Sequence, residues 1–502
     1  GTPPLDNAHK AERCQSPDQL GDAHFEVGVT SRRTKASSGE PFAICNVEGS
    51  HIMSRISRSR LLATSAIVGL SIGPIAAPVA AQDSFGIHNG QPELLKIVIE
   101  EEDADVEGLD IGIYADNGPV TVDNAGEIRG LGTSIGSAQS RPSGGIVIAQ
   151  PGSSVTNRNS GEITGGSNGI ATSYFFSEDA NGDELPPQPL AANTSVTNAG
   201  TIIGQAGSGV GLAGGGTVTN SGTIQGLTGN AGNGAQGIGV AISEFPDRIA
   251  EDVTGVGTIT NSETGLIEGT VFGALLQGGG TIDNAGIIRS TGNPNPATPG
   301  VSPFGVILTA SPAQTGRTAT VNNSGTISGF LGILAGGSLD AAVINNSGTI
   351  NAQTTAIFAN LTGGLVVNNE AGGEIISNGF ITINSTGGTL TLDNAGLVRS
   401  NANTAINIRT AGASITNSGT IAGGGNDGIY ANADGVTTIN NAEDGVINGA
   451  ASGIHAEFGG LNLTNAGSIN GDGANPGFDA PPDAGVTISG GGSSVTNSGS
   501  IT

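Results

Sequence analysis

The chain has no tryptophan, one methionine and two cysteines in 502 residues, and its aromatic content is 3%. Both cysteines, Cys14 and Cys45, lie within the first 52 residues, so the chain from Gln82 onward can form no disulfide. This excludes the disulfide scaffolds of small secreted domains and the Cys/His clusters of zinc or iron sites. Large side chains are also too few for conventional globular cores, whereas narrow cores of small β-branched residues fit the composition. Basic residues are the third shortage. From Gln82 on there are 9 Lys+Arg and 36 Asp+Glu, a net of 9 − 36 = −27. Such a surface repels nucleic acid and anionic lipid, and no basic stripe offsets it, so nucleic acid is not an expected partner.

No clean apolar run reaches membrane-spanning length. The nearest, 61–75, is followed by Pro78 and broken by Gly69, Gly73 and Pro74. It reads instead as the apolar centre of a secretory signal that opens at Met53. Arg55, Arg58 and Arg60 supply the basic start, and Val79-Ala80-Ala81 offers small residues for cleavage. The expected organisation is a leader without periodicity at 1–52, a signal peptide at 53–81 and an irregular N-terminal cap at 82–123. A repeat domain at 124–502 follows.

What the chain has in abundance is glycine, 87 residues, and one repeated phrase. Val218-Thr219-Asn220-Ser221-Gly222-Thr223-Ile224 recurs with little change around Asn323, Asn346 and Asn417. Looser copies align on Asn124, Asn157, Asn198, Asn261, Asn284, Asn369, Asn394, Asn441, Asn465 and Asn497. Neighbouring anchors lie 22 to 25 residues apart, with longer gaps of 32 to 41. A fixed period in this range marks a solenoid. Each tight period holds three short apolar pieces separated by Gly or Asn, as in Thr420-Ile421, Gly428-Ile429-Tyr430 and Val436-Thr437-Thr438-Ile439. Strands this short cannot stand alone; stacked turn upon turn they give three parallel sheets around a narrow core. The predicted fold is an all-β parallel β-helix with three-strand rungs of about 23 residues.

Within the phrase, the aliphatic residue and the final Ile point into the core. The anchor Asn takes a bend, where its amide tolerates left-handed backbone and can stack on its copies as a ladder. The following Gly supplies a positive φ or a close approach. The period assigns these fourteen Asn residues a structural role rather than a ligand-binding one. The excess of the long gaps falls at 131–143, 174–193, 227–236, 243–254, 291–302, 311–318 and 471–484. Insertions at equivalent corners gather on one side, often the binding side. Tyr174, Phe175 and Phe176 form the candidate binding loop, since adjacent aromatics are rare here. The alternative is a satellite cluster that packs a long loop onto the rod.

Motifs with chemical meaning are weak. Gly165-Gly166-Ser167-Asn168-Gly169 spells a nucleophile elbow without the helix or the His partner that the motif needs. Gly209 to Gly214 spells a dinucleotide fingerprint without a βαβ unit. Gly423-Gly424-Gly425-Asn426-Asp427-Gly428-Ile429-Tyr430 resembles a calcium-binding nonapeptide, but it occurs once, and such sites need stacked copies. No catalytic residue, cofactor or metal ligand is therefore assigned.

The signal-like segment, the repeated Val/Ile-Thr/Asn-Asn-Ser/Ala-Gly-Thr/Glu-Ile phrase and the cysteine-free, acidic, Gly-rich composition resemble bacterial autotransporter passenger regions. The resemblance spans about 83–502 and carries no catalytic motif. It implies a right-handed parallel β-helix, secreted across the inner membrane and displayed at the cell surface or released. Export would use a C-terminal outer-membrane β-barrel, which would lie beyond Thr502, where the chain stops mid-repeat. The function it implies is a non-enzymatic rod that presents loops to a host, a neighbouring cell or a matrix. The alternative is a polysaccharide lyase or hydrolase on a similar β-helix. Only Lys96 and eight scattered Arg are available to it after Gln82, but two acids could meet across rungs. A third reading, ice binding, requires flat outward Thr rows, hinted at by Thr219, Thr416, Thr464 and Thr496.

Overall fold

The computed structural model describes the backbone of 25–29 and residues 85–90, 92–100, 104–132, 143–172, 193–227, 237–243, 256–292, 302–312, 314–472 and 484–502. These residues form a parallel β-helix. Three strands complete each rung, and each strand pairs in parallel with its copy in the next. The first face runs from Phe85–Asn89 through Ile238–Ser243 to Val486–Ile488. The second runs from Leu95–Ile99 through Gly216–Asn220 to Ser494–Asn497, and the third from Asp105–Gly108 through Thr223–Gly226 to Ser500–Ile501. The third face is a sheet of 15 strands. The first two merge into one sheet of 28, because Ile357–Asn369, Ile383–Asn394 and Ile406–Asn417 each run through both faces. At about 4.8 Å per stacked strand the rod is roughly 70 Å long.

The core follows the repeat. Val218 pairs in register with Ile259, Ile259 with Ile282 and Ile282 with Val321, all fully buried. The closing Ile of the phrase stacks likewise on the third face, as Ile224 on Ile267. Each such aliphatic side chain contributes about 1.5–3 kcal/mol on burial. That drives collapse but discriminates poorly between similar registers, since Val, Ile and Leu interchange along each stack.

The anchor Asn residues fix the register. All fourteen stand in one line where the second face turns into the third. Each Nδ2 donates to Oδ1 of the next, from Asn124 to Asn157, Asn198, Asn220 and Asn261 at 2.8 Å per link. The line continues through Asn284, Asn323, Asn346, Asn369, Asn394, Asn417, Asn441 and Asn465 to Asn497, with links of 2.7 to 2.9 Å. Each buried member also donates to the Gly carbonyl that ends its own turn, as Asn346 to Gly348 at 3.1 Å. The bonds all point one way, so each polarises the next. A slipped rung would bury an unpaired amide at about 1–3 kcal/mol.

One expectation about the phrase needs correction. Asn193 is the one non-glycine residue with positive φ among the described residues, so the anchors are not left-handed. They end their strands in ordinary backbone, and the side-chain bonds close the bend. For the phrase glycines the close approach is the alternative that holds, with Gly372 after Asn369 the exception of positive φ. A Cβ on Gly222 would lie 2.1 Å from the carbonyl oxygen of Gly200 one rung back. The other left-handed glycines occur where the first face turns into the second, as at Gly214, Gly215 and Gly216.

The segment 82–123 is not an irregular cap. Phe85–Asn89, Leu95–Ile99 and Asp105–Gly108 already form a full rung, paired in register with the next. Ile99 occupies the place of the anchor, opposite Asn124, and this disguised the rung. The 1–52 segment is also not wholly outside the fold, since Phe25–Val29 pairs with Leu95–Ile99. Cleavage after Ala81 would remove that strand and leave Leu95–Ile99 first on its face. The signal segment itself lies outside the described residues.

Replacing Asn346 with Ala leaves Oδ1 of Asn369 without its donor and removes the carboxamide bond of Asn323, whose Nδ2 keeps the Gly325 and Thr349 carbonyls. Chemical unfolding should show a loss of about 1–3 kcal/mol. Asn497→Ala, at the exposed end of the line, should lose much less; equal losses would contradict a register-setting ladder.

Candidate functional site

The insertions enter at two corners, both of which bound the first face. Those at 131–143, 227–236, 291–302 and 471–484 connect third-face strands to first-face strands. Those at 174–193, 243–254 and 311–318 connect the first face to the second. None opens at the Asn corner, where the connection is two or four residues, as between Asn220 and Thr223 or Asn261 and Leu266. The first face is therefore bordered by insertions along both edges. Tyr174, Phe175 and Phe176 lie outside the described residues, as does most of the inserted sequence.

The outward surface of the first face changes character along the rod. One outward row is built from the third residue of the Gly-Ile-x pieces and their equivalents. It runs Leu275, Ile307, Leu334, Phe358, then Asn384, Asn407, Tyr430, His455 and Thr487. The same row opens at the other end of the rod with His88 paired to Tyr114, whose rings stack at 5.1 Å. Thus both described histidines and both described tyrosines lie in one row. His88 Nε2 meets Asp116 at 2.9 Å.

The richest cluster is at the far end. His455 lies edge-on to Tyr430, with ring centroids 5.2 Å apart. Its Nδ1 is 3.8 Å from Oδ2 of Asp427, an ion-pair distance when the ring is protonated. Asp427 is 4% exposed, and Oδ1 accepts the Ser452 backbone N–H at 3.2 Å. This carboxylate raises the His455 pKa from 6.5 against the opposing effect of burial. The Tyr430 hydroxyl donates to the Glu457 carboxylate and accepts from Asn432 Nδ2 at 3.1 Å. Burial, followed by Glu457, pushes the phenol up to about 12, so it remains a donor at neutral pH. One rung back, Asn407 donates to Asn384 at 3.0 Å. Asn407 is buried, and its Oδ1 has no hydrogen-bond partner. A shallow cavity of about 710 Å³ opens beside the cluster, walled by His455, Glu457, Phe458 and Ser489, with Gly459, Gly490 and Gly491 as its floor.

One carboxylate, Glu457, faces this cavity, while Asp427 stands behind the imidazole. The opposed acid pair of a glycoside hydrolase is therefore not formed at this cavity among the described residues. Among the described residues no group of three His, Cys, Asp or Glu side chains could hold a metal ion. The calcium-like Gly423–Tyr430 stretch is a corner whose Asp427 turns toward His455. Ser167 of the elbow-like sequence is buried at another corner, beside Asn168. The suggested Thr row exists on the second face, where Thr197, Thr219 and Thr260 stand in register. Asp283, Asn322, Asn345 and Asn368 then interrupt it, hydrogen-bonded to one another at 2.7 Å, so no continuous Thr array forms.

No protein-family model, curated protein or solved structure matches the chain. Sequence reasoning passed over Asn407, Asp427, Tyr430, His455 and Glu457. The signal was available: Gly428-Ile429-Tyr430 and Gly453-Ile454-His455 align residue for residue, which sets Tyr430 against His455.

The sign of the His455 shift gives a pH test. A raised folded-state value stabilises fully below about pH 6.5, and this contribution is lost as pH rises through the raised value. The stability difference between the chain and a His455→Asn variant should shrink over that interval in thermal unfolding. A difference that grows with pH would contradict the Asp427 pairing.

Proposed function

We propose that this chain is the secreted, surface-displayed rod of a bacterial autotransporter, and that it makes contacts through its first face and the insertions beside it. The observation that carries the reading is the placement of the insertions. Seven connections lengthen at the two corners bounding the first face, and the Asn corner stays short throughout. Long connections are tolerated where they serve a role, and binding residues concentrate on loops held by a rigid scaffold. The autotransporter assignment rests on the signal-like 53–81 segment, the cysteine-free acidic repeats and their phrase. Export would run through an outer-membrane β-barrel, a route suited to a chain without disulfides.

A second reading, a polysaccharide hydrolase or lyase, is favoured by the His455–Glu457 cluster alone. The single carboxylate at the cavity wall supports binding over hydrolysis.

Adhesion tests the reading. Beads coated with the purified chain should attach to a target cell or matrix surface. Shortening 174–192 and 244–255, on one edge of the first face, should reduce attachment to background. Thr219→Ala, on the second face, should leave it unchanged. Attachment that ignores the shortened insertions but falls with the second-face variant would overturn the assignment of faces.

A further inference from the structure

We infer that the surface around Tyr430 and His455 is a subsite for a neutral, hydroxyl-rich sugar unit within an extended glycan. The inference rests on the first face being the contact surface, and adds to it the class of ligand.

Four features converge. First, aromatic surface is offered where a polar face would not require it. Phe458 is 53% exposed at the cavity wall, and the half-buried Tyr430 ring lies edge-on to His455, which also lines the cavity. An aromatic ring suits the apolar C–H face of a pyranose, while its neighbours satisfy the hydroxyls. Second, the polar groups are both donors and acceptors. Glu457 accepts, and the His455 nitrogen away from Asp427 is available for either role.

Third, Asn407 holds a buried acceptor with no partner, one rung from Tyr430 in the same outward row. The carboxamides of the buried Asn line are each paired with the next, so this unpaired acceptor sets the rung beside Tyr430 apart from the anchor corner. Fourth, charge selects against anions. Glu457 stands at the cavity and Asp427 behind His455, and the chain carries a net charge of −26. An acidic polysaccharide would be repelled. Hydrogen-bonding side chains recur at this row with every rung, about 4.8 Å apart, from Asn384 to Thr487. A glycan laid along the rod would therefore meet the partly exposed Tyr430, His455 and Thr487 on successive rungs, while Asn407 is buried.

The test is a panel of neutral oligosaccharides (gluco-, manno-, galacto- and N-acetylglucosamine oligomers) and acidic ones (oligogalacturonate, hyaluronan fragments) titrated calorimetrically into the purified chain. At least one neutral series should bind and the acidic ones should not. Tyr430→Ala and His455→Ala should each weaken binding roughly tenfold or more. Tyr430→Phe, which keeps the ring, should lose less, and Thr219→Ala should lose nothing. A circular dichroism melt of each variant separates lost contacts from lost fold. Preference for acidic glycans, no binding to any neutral series, or affinity unchanged by Tyr430→Ala and His455→Ala would each overturn the inference. If neutral glycans fail to bind while bead attachment still depends on the insertions, the sugar subsite falls and the first-face reading stands. If glycan binding depends on Tyr430 but bead attachment ignores the first face, the reverse holds.

Discussion

A line of buried carboxamides, each bonded to the next, governs this structure. Aliphatic stacks drive the chain together, but Val, Ile and Leu alternate freely along them and specify register weakly. Asn346 between Asn323 and Asn369 has no such latitude, because its two neighbours need its donor and its acceptor at 2.8 and 2.9 Å. The close approach of consecutive turns follows from the same requirement, and with it the exclusion of any side chain at Gly222 or Gly348. A corner built this tightly cannot accept an insertion. Variation is displaced to the other two corners, and the face between them becomes the place where the rod can differ from rung to rung.

The division of labour between faces shows in the residues. The second face keeps a small polar residue outward, with Thr197, Thr219 and Thr260 in line and then Asp283, Asn322 and Asn345. The first face keeps its inward row aliphatic yet changes its outward row from Leu275 and Phe358 to Tyr430 and His455. Repetition serves stacking; departure from it needs another cause. Under the proposal that this is a displayed rod, contact with a partner supplies that cause. The rigidity of the carboxamide line then keeps side chains from separate rungs, such as Asn407, Tyr430 and His455, at fixed separations without any loop holding them.

Much of this was legible in the sequence. The period, the buried aliphatics and the line of fourteen Asn residues follow from aligning one phrase. What was not legible has physical reasons. Anchor spacing measures a whole rung, so it cannot show which corner an insertion enlarges; the strand ends at Thr172 and Ser243 were needed for that. The first rung was hidden because Ile99 stands at the anchor position, where the line has no earlier neighbour to bond. The left-handed backbone expected at the anchors proved unnecessary, since the side-chain bond to Gly348 closes the turn that backbone strain would otherwise have to make. The Tyr430–His455 cluster was missed because Gly-Ile-x pieces were read for the inward Ile and not for the outward residue after it.

The account depends most on the carboxamide line, and side-chain amide hydrogen exchange measures it directly. With the chain labelled at Asn nitrogen, the Nδ2 protons of Asn157 through Asn441 should exchange as slowly as the buried backbone amides of the second face. Those of the partly exposed outer row, Asn322, Asn345 and Asn368, should exchange faster. Anchor amides that exchange as rapidly as the outer row would contradict a ladder that sets the register of the rod.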